Sequence, residues 1–230
     1  MSDFLEASLF FGAALTVAAY EVGLLCRKKW NKAFVNPLLI AILLTISVLL
    51  IFRIPYATYN ISARYVSYLL TPTTVCLAVP LYEQLEILKK NYAAILLGIL
   101  AGAVTSMLVV LLFSVLCRFT HAEYVSFLPK SVTTAIGMGI SEELGGSVPI
   151  TVAMIVLTGV LGNIIAETVC RVFRITDPVA RGVGIGTASH AIGTTRAMEM
   201  GSVEGAISGL SILVAGLMTS FGAILMSYLY

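Results

Sequence analysis

Long apolar runs separated by short polar breaks organise this chain. They fall at 7–25, 36–52, 62–86, 91–117, 127–146, 149–172, 179–199 and 203–229. About 18–20 consecutive apolar residues are enough to cross a bilayer as a helix. The pattern therefore predicts an all-α, polytopic membrane protein, a single transmembrane domain over 1–230. Most of the runs are plain apolar helices, and three are not. Run 62–86 holds Pro72 and Pro80, each of which removes a backbone donor and crowds the preceding turn. Run 179–199 carries Gly182, Gly184, Gly186 and Gly193 among hydroxyls, a His and an Arg, a poor composition for a helix facing lipid. Run 127–146 is short and begins near Pro129. It holds Lys130, Glu142 and Glu143 and ends in Gly145–Gly146, which suits a re-entrant hairpin better than a full crossing.

Composition sharpens this reading. Hydrophobic residues make up 59% of the chain and charged residues 11%, against about 25% charged in a soluble domain. The mean hydropathy is +0.99. So much apolar surface does not fit inside one water-soluble core of this length. The 14 basic residues sit mostly in short loops, so nucleic-acid binding is not expected. Cys26, Cys76, Cys117 and Cys170 have no paired spacing and read as small packing residues. No metal and no cofactor is implied. The start of the chain does not read as a cleavable signal, because Asp3 and Glu6 precede its apolar core and Arg27, Lys28, Lys29 and Lys32 follow it.

The distribution of charge sets an orientation. If 127–146 does not cross, the N-terminus lies outside. Arg27, Lys28, Lys29, Lys32, Lys89, Lys90, Arg171, Arg174 and Arg181 then face the cytoplasm, nine of the 14. If it does cross, the last three move outside and six remain. The excess of cytoplasmic Lys and Arg in membrane proteins favours the first arrangement, with about seven spans plus the hairpin. In it the triplets 36–52, 62–86, 91–117 and 149–172, 179–199, 203–229 run in opposite senses, each with a broken middle element. Repeat halves 36–117 and 149–229, inverted and carrying broken helices in matching places, are a transporter pattern. The plainer account is that any helical membrane protein can be cut into similar triplets.

Ionisable groups at membrane depth are costly and are candidate functional groups for that reason. The densest constellation is TASHAIGTTR at 187–196. It supplies Thr187, Ser189, Thr194 and Thr195 as hydroxyls, His190 as a group titrating near neutrality, and Arg196 as a planar fork for a carboxylate. The bland alternative is a polar surface loop with Arg196 reaching to the membrane edge. A Ser–His hydrolase is not expected, since Ser189 and His190 are adjacent and no nucleophile elbow accompanies them. A second cluster joins Lys130, Ser131, Thr133 and Thr134, and a third places Thr71, Thr73 and Thr74 around Pro72. The three together would enclose one anion site. His190 or Glu167 is the expected proton carrier, although Glu167 could instead be a protonated packing residue near Asn163. Glycines at 201, 205 and 209 form a small-residue face expected to pack against a helix within the subunit or across a homodimer.

PKSVTTAIGMGISEELGG and DPVARGVGIGTASHAIGTTRAMEMGSVEGAISGL strongly resemble the LrgB/CidB family of membrane proteins, as do NPLL at 36–39 and AVPLYEQL at 78–85. The resemblance covers roughly residues 30–230. One departure is Ala135, where the family commonly has proline. The resemblance implies several things. Members are described as holin- or antiholin-like, affecting murein hydrolase export and lysis. Plastid relatives carry glycolate and glycerate, and bacterial relatives are implicated in moving pyruvate-like carboxylates. The fold is related to antiporters with inverted repeats and broken helices. A small LrgA/CidA-like membrane protein is a common partner. The polar clusters favour transport, and the resemblance implies that the cargo of this secondary transporter is a small monocarboxylate, moved with proton coupling by a multi-pass protein of a bacterial inner membrane. A holin-like regulator is the alternative, and no enzymatic activity is expected.

Overall fold

The computed structural model describes residues 10–30, 35–69, 72, 75–76 and 78–230, and among these every regular element is a helix. Two compact units divide the chain, Met1–Cys76 and Leu77–Tyr230. The first contains α1 (Phe11–Trp30), α2 (Pro37–Ile51) and α3 (Tyr56–Ser67). The second contains α4 (Ala78–Glu83), α5 (Leu85–Cys117), α6 (His121–Phe127), α7 (Thr134–Glu143), α8 (Val148–Val172), α9 (Pro178–Met200) and α10 (Ser202–Ser227). Helices α5, α8 and α10 are each long and apolar enough to cross a membrane.

Local chemistry sets the ends of these helices. The Asn36 side chain accepts from the amides of Leu38 and Leu39 at 2.8 and 3.1 Å, and Pro37 opens α2 with a fixed φ and no donor to lose. Thr120 and Glu123 close a reciprocal capping box on α6. Asp177 accepts from the Ala180 amide at 2.8 Å, and Pro178 follows it at the start of α9. Arg53, Arg118 and Arg174 each adopt left-handed backbone, φ 51–54°, just beyond α2, α5 and α8. A non-glycine residue is disfavoured there by about 1–2 kcal/mol. Each arginine also sets a cation against the negative end of a helix.

Inside and outside are distributed as a membrane requires. Leu97, Leu112, Leu116, Leu217, Phe221 and Leu225 are exposed, while Ser126, Ser141, Thr151, Ser208 and Ser211 are fully buried. Between helices in lipid, small and hydroxyl residues allow close packing and supply hydrogen bonds, while large apolar side chains face the tails. Tyr124, Val125 and Leu128 form a core with Met107, Val110, Ile140 and Ala223, fastened by the Tyr124 hydroxyl donating to the Met226 carbonyl at 2.8 Å. A second core joins Ile95 and Ile99 of α5 to Ile207 and Ala215 of α10.

Two sequence expectations change in detail. Run 127–146 holds one short helix, α7, which the 128–133 link joins to α6 just before it, and both fold onto the start of α8. The Thr151 hydroxyl ties the three together, donating to the Ser126 carbonyl at 2.9 Å and lying 2.7 Å from the Ser141 hydroxyl. The fourth run, 91–117, begins as α5 at Leu85, earlier than expected, because no proline stands between Gln84 and Cys117. Thr71, Thr73 and Thr74 lie outside the described residues.

Candidate functional site

A cleft of about 610 Å³ opens between α5, α8, α9 and the 128–133 link. Its polar lining is Thr105, Ser106, Lys130, Ser131, Thr158, Thr187 and Ser189. Lys130 is half-buried, and its ammonium donates to the Ser106 and Ser131 hydroxyls, each at 3.1 Å. Those hydroxyls are themselves 3.1 Å apart. An ammonium carries three donors. The third has no partner here, and no carboxylate lies within ion-pair distance of Lys130 among the described residues. Across the cleft the Thr187 hydroxyl is buried without a hydrogen-bond partner among the described residues. Two glycines make this geometry possible. A Cβ on Gly102 would stand 2.7 Å from the Thr187 methyl, and one on Gly162 would overlap the Ser189 hydroxyl. An unbalanced cation beside unsatisfied and weakly satisfied hydroxyls in an apolar wall has the chemistry that a small anion would complement.

The wall that carries Thr187 and Ser189 is a broken helix. His190, only 2% exposed, has φ 42° and ψ −143° inside α9. Left-handed backbone at a non-glycine residue costs on the order of 1–3 kcal/mol and persists only where its surroundings impose it. The surroundings do so here. The His190 Nε2 lies 3.0 Å from the Ile155 carbonyl of α8, so that nitrogen carries the proton and donates. The imidazole sits over Gly159. Thr194 donates to the His190 carbonyl at 2.9 Å, and its hydroxyl lies 2.7 Å from that of Ser208. Asn163 donates to the Ile192 carbonyl at 2.7 Å and to the Thr195 hydroxyl at 2.8 Å. Carbonyls freed at the break thus find partners within the protein, as membrane depth demands.

Arg196 belongs to a different place. It pairs with Glu167 and, at 2.6 Å, with Glu199, and Glu167 also accepts from Arg171 at 3.0 Å. These groups line a second cleft of about 570 Å³ with Arg174, Arg181 and Thr176. The sequence cluster 187–196 is therefore divided. Thr187 and Ser189 face the Lys130 cleft, His190 and Thr194 tie helices together, Thr195 receives Asn163, and Arg196 joins an ion-pair network. Thr133 and Thr134 open α7 and do not line either cleft. Glu167 is an ion-pair partner of two arginines. Gly205 packs on Met198 of α9, within the subunit. Sequence reasoning missed Ser106 and Gly102, although Gly98 and Gly102 stand at the i, i+4 spacing that signals close helix approach.

The chain can now be set beside known proteins. The sequence profile of the LrgB-like family matches residues 16–229. The chain is 36% identical over 220 residues to the holin-like protein CidB of Staphylococcus aureus (strain Mu50), an alignment covering 96% of this chain and 95% of that protein. No solved structure matches it.

Proposed function

The chain belongs to the LrgB-like family of multi-pass bacterial membrane proteins, and from that premise we propose that it is a secondary transporter of small monocarboxylates. The observation that carries this reading is Lys130, a half-buried ammonium with hydroxyl partners and no acid among the described residues, facing a cleft that also holds the unpartnered Thr187 hydroxyl. A pyruvate-, glycolate- or lactate-sized anion has little apolar area, so charge-assisted hydrogen bonds must supply its affinity. In this reading the carboxylate bridges Lys130 and Thr187, with Ser106, Ser131 and Ser189 orienting it. The break at His190 lets the wall shift between two packings during alternating access. His190 or Glu167 carries a coupled proton.

The same proposal includes a topology of about seven spans with the α6–α7 hairpin re-entrant, the N-terminus outside, and inverted halves 36–117 and 149–229. A small LrgA/CidA-like membrane protein is the expected partner, and the chemistry is transport without catalysis. A second reading has one observation in its favour, the name of the holin-like relative. It is a regulator of murein hydrolase activity and lysis acting through self-association.

Counterflow of radiolabelled pyruvate, glycolate and lactate into proteoliposomes, with and without a small LrgA-like protein, separates the two. Saturable counterflow that Lys130→Met abolishes supports transport. Absence of counterflow under both conditions, together with release of a trapped dye of several hundred daltons, supports the holin-like reading instead.

A further inference from the structure

The arginine cleft is not isolated. It shares Cys170, Ile175 and Arg181 with a groove of about 300 Å³ that continues along α8 and α9 and is lined almost wholly by apolar atoms. On α8 the groove runs from Gly162 to Cys170. At 1.5 Å per residue that is roughly 12 Å, most of the ~15 Å depth of one leaflet. Arg171 and Arg174 stand at the end of that span, where α8 ends.

We propose that the cleft and groove together form a binding site for one anionic phospholipid, with the phosphate among the arginines and one acyl chain along the groove. Four guanidiniums line the cleft, those of Arg171, Arg174, Arg181 and Arg196, against the two carboxylates of Glu167 and Glu199. Two further acids stand behind the lining, and each is already engaged. Glu204 is buried 3.6 Å from Arg181, and Asp177 caps the start of α9. Arg174 has no ion-pair partner among the described residues, and Arg171 shares Glu167 with Arg196. Arg181 donates through Nε to the Ile175 carbonyl at 2.8 Å, which holds its guanidinium where the polar cleft becomes the apolar groove. That junction is the shape of a lipid, a charged head directly joined to a hydrocarbon tail. A soluble anion would use the cleft and leave the groove without purpose. The proposal rests on the membrane setting and is independent of the Lys130 site.

Native mass spectrometry of the purified full chain tests it, by titration with phosphatidylglycerol, phosphatidylcholine, or glycerol phosphate alone. The expected result is preferential retention of phosphatidylglycerol. In Arg171→Gln/Arg174→Gln that retention should fall about thirtyfold, since each basic residue near a membrane surface contributes ~1 kcal/mol toward anionic lipid. Ala180→Phe projects a ring into the groove from an exposed position. It should reduce lipid retention and leave the glycerol phosphate response unchanged. Equal retention of the two lipids, or full retention by the double variant, would overturn the proposal. A glycerol phosphate response as strong as that of the lipid would reassign the cleft to a soluble anion.

Discussion

Lys130 and Arg196 are both cations in clefts walled by α9, and the protein treats them oppositely. Arg196 faces two carboxylates, Glu167 and Glu199, and its planar fork is satisfied by both. Among the described residues Lys130 has only the hydroxyls of Ser106 and Ser131. Paired charges in a partly buried site fasten helices, so in that cleft Arg174, which has no ion pair among the described residues, keeps more of its charge for a ligand than Arg196 does. A charge held only by hydroxyls is desolvated without being neutralised, so an arriving anion relieves a cost already present. The difference assigns Arg196 to the architecture of α8 and α9 and leaves Lys130 as the group that an anion would change most.

Four substitutions break or sharpen this contrast. The largest effect is expected for Lys130→Met. It should lower carboxylate counterflow about a hundredfold or more, because losing one partner of a desolvated charge pair costs about 2–5 kcal/mol. Folding should be maintained, which the gel-filtration profile checks. Wild-type counterflow in this variant would end the claim that Lys130 meets the substrate. Gly162→Val comes next. Its side chain would collide with the Ser189 hydroxyl where α8 meets α9, and overpacking of this kind costs about 1–3 kcal/mol. A lower thermal midpoint in detergent, together with weakened substrate binding, is the expected outcome. An unchanged midpoint would show that the two helices are not so close.

Smaller effects fall on the Arg196 side. Arg196→Lys keeps the charge and loses the fork that spans Glu167 and Glu199. These groups are partly exposed, so solvent screening limits the loss to about 1 kcal/mol, a slightly lower midpoint with substrate affinity preserved. A drop in affinity as large as that of Lys130→Met would erase the contrast and restore Arg196 as a carboxylate clamp. His190→Gln should have the smallest effect on rate at neutral pH, since an amide can still donate toward the Ile155 carbonyl. If His190 carries the coupled proton, the pH dependence of uptake flattens. A pH profile superimposable on wild type would leave His190 as a clasp between helices.

The family profile and the curated relative agree with what the apolar runs and the TASHAIGT segment already indicated, a multi-pass membrane protein of the LrgB-like family. The helical class was legible because runs of apolar residues near the length of a bilayer admit few other structures. The special nature of 187–196 was legible too, since glycines, hydroxyls and a His have no place on a lipid-facing helix. Sequence alone could not divide that segment between two clefts. Thr187 meets α5 at Gly102, whereas Arg196 meets Glu167, 29 residues away in sequence. Nor could it find Ser106, which reaches Lys130 from 24 residues before it. A sequence declares which side chains carry charge. Whether a given charge is already matched depends on what the folded helices bring within about 4 Å of it, and only the tertiary structure decides that.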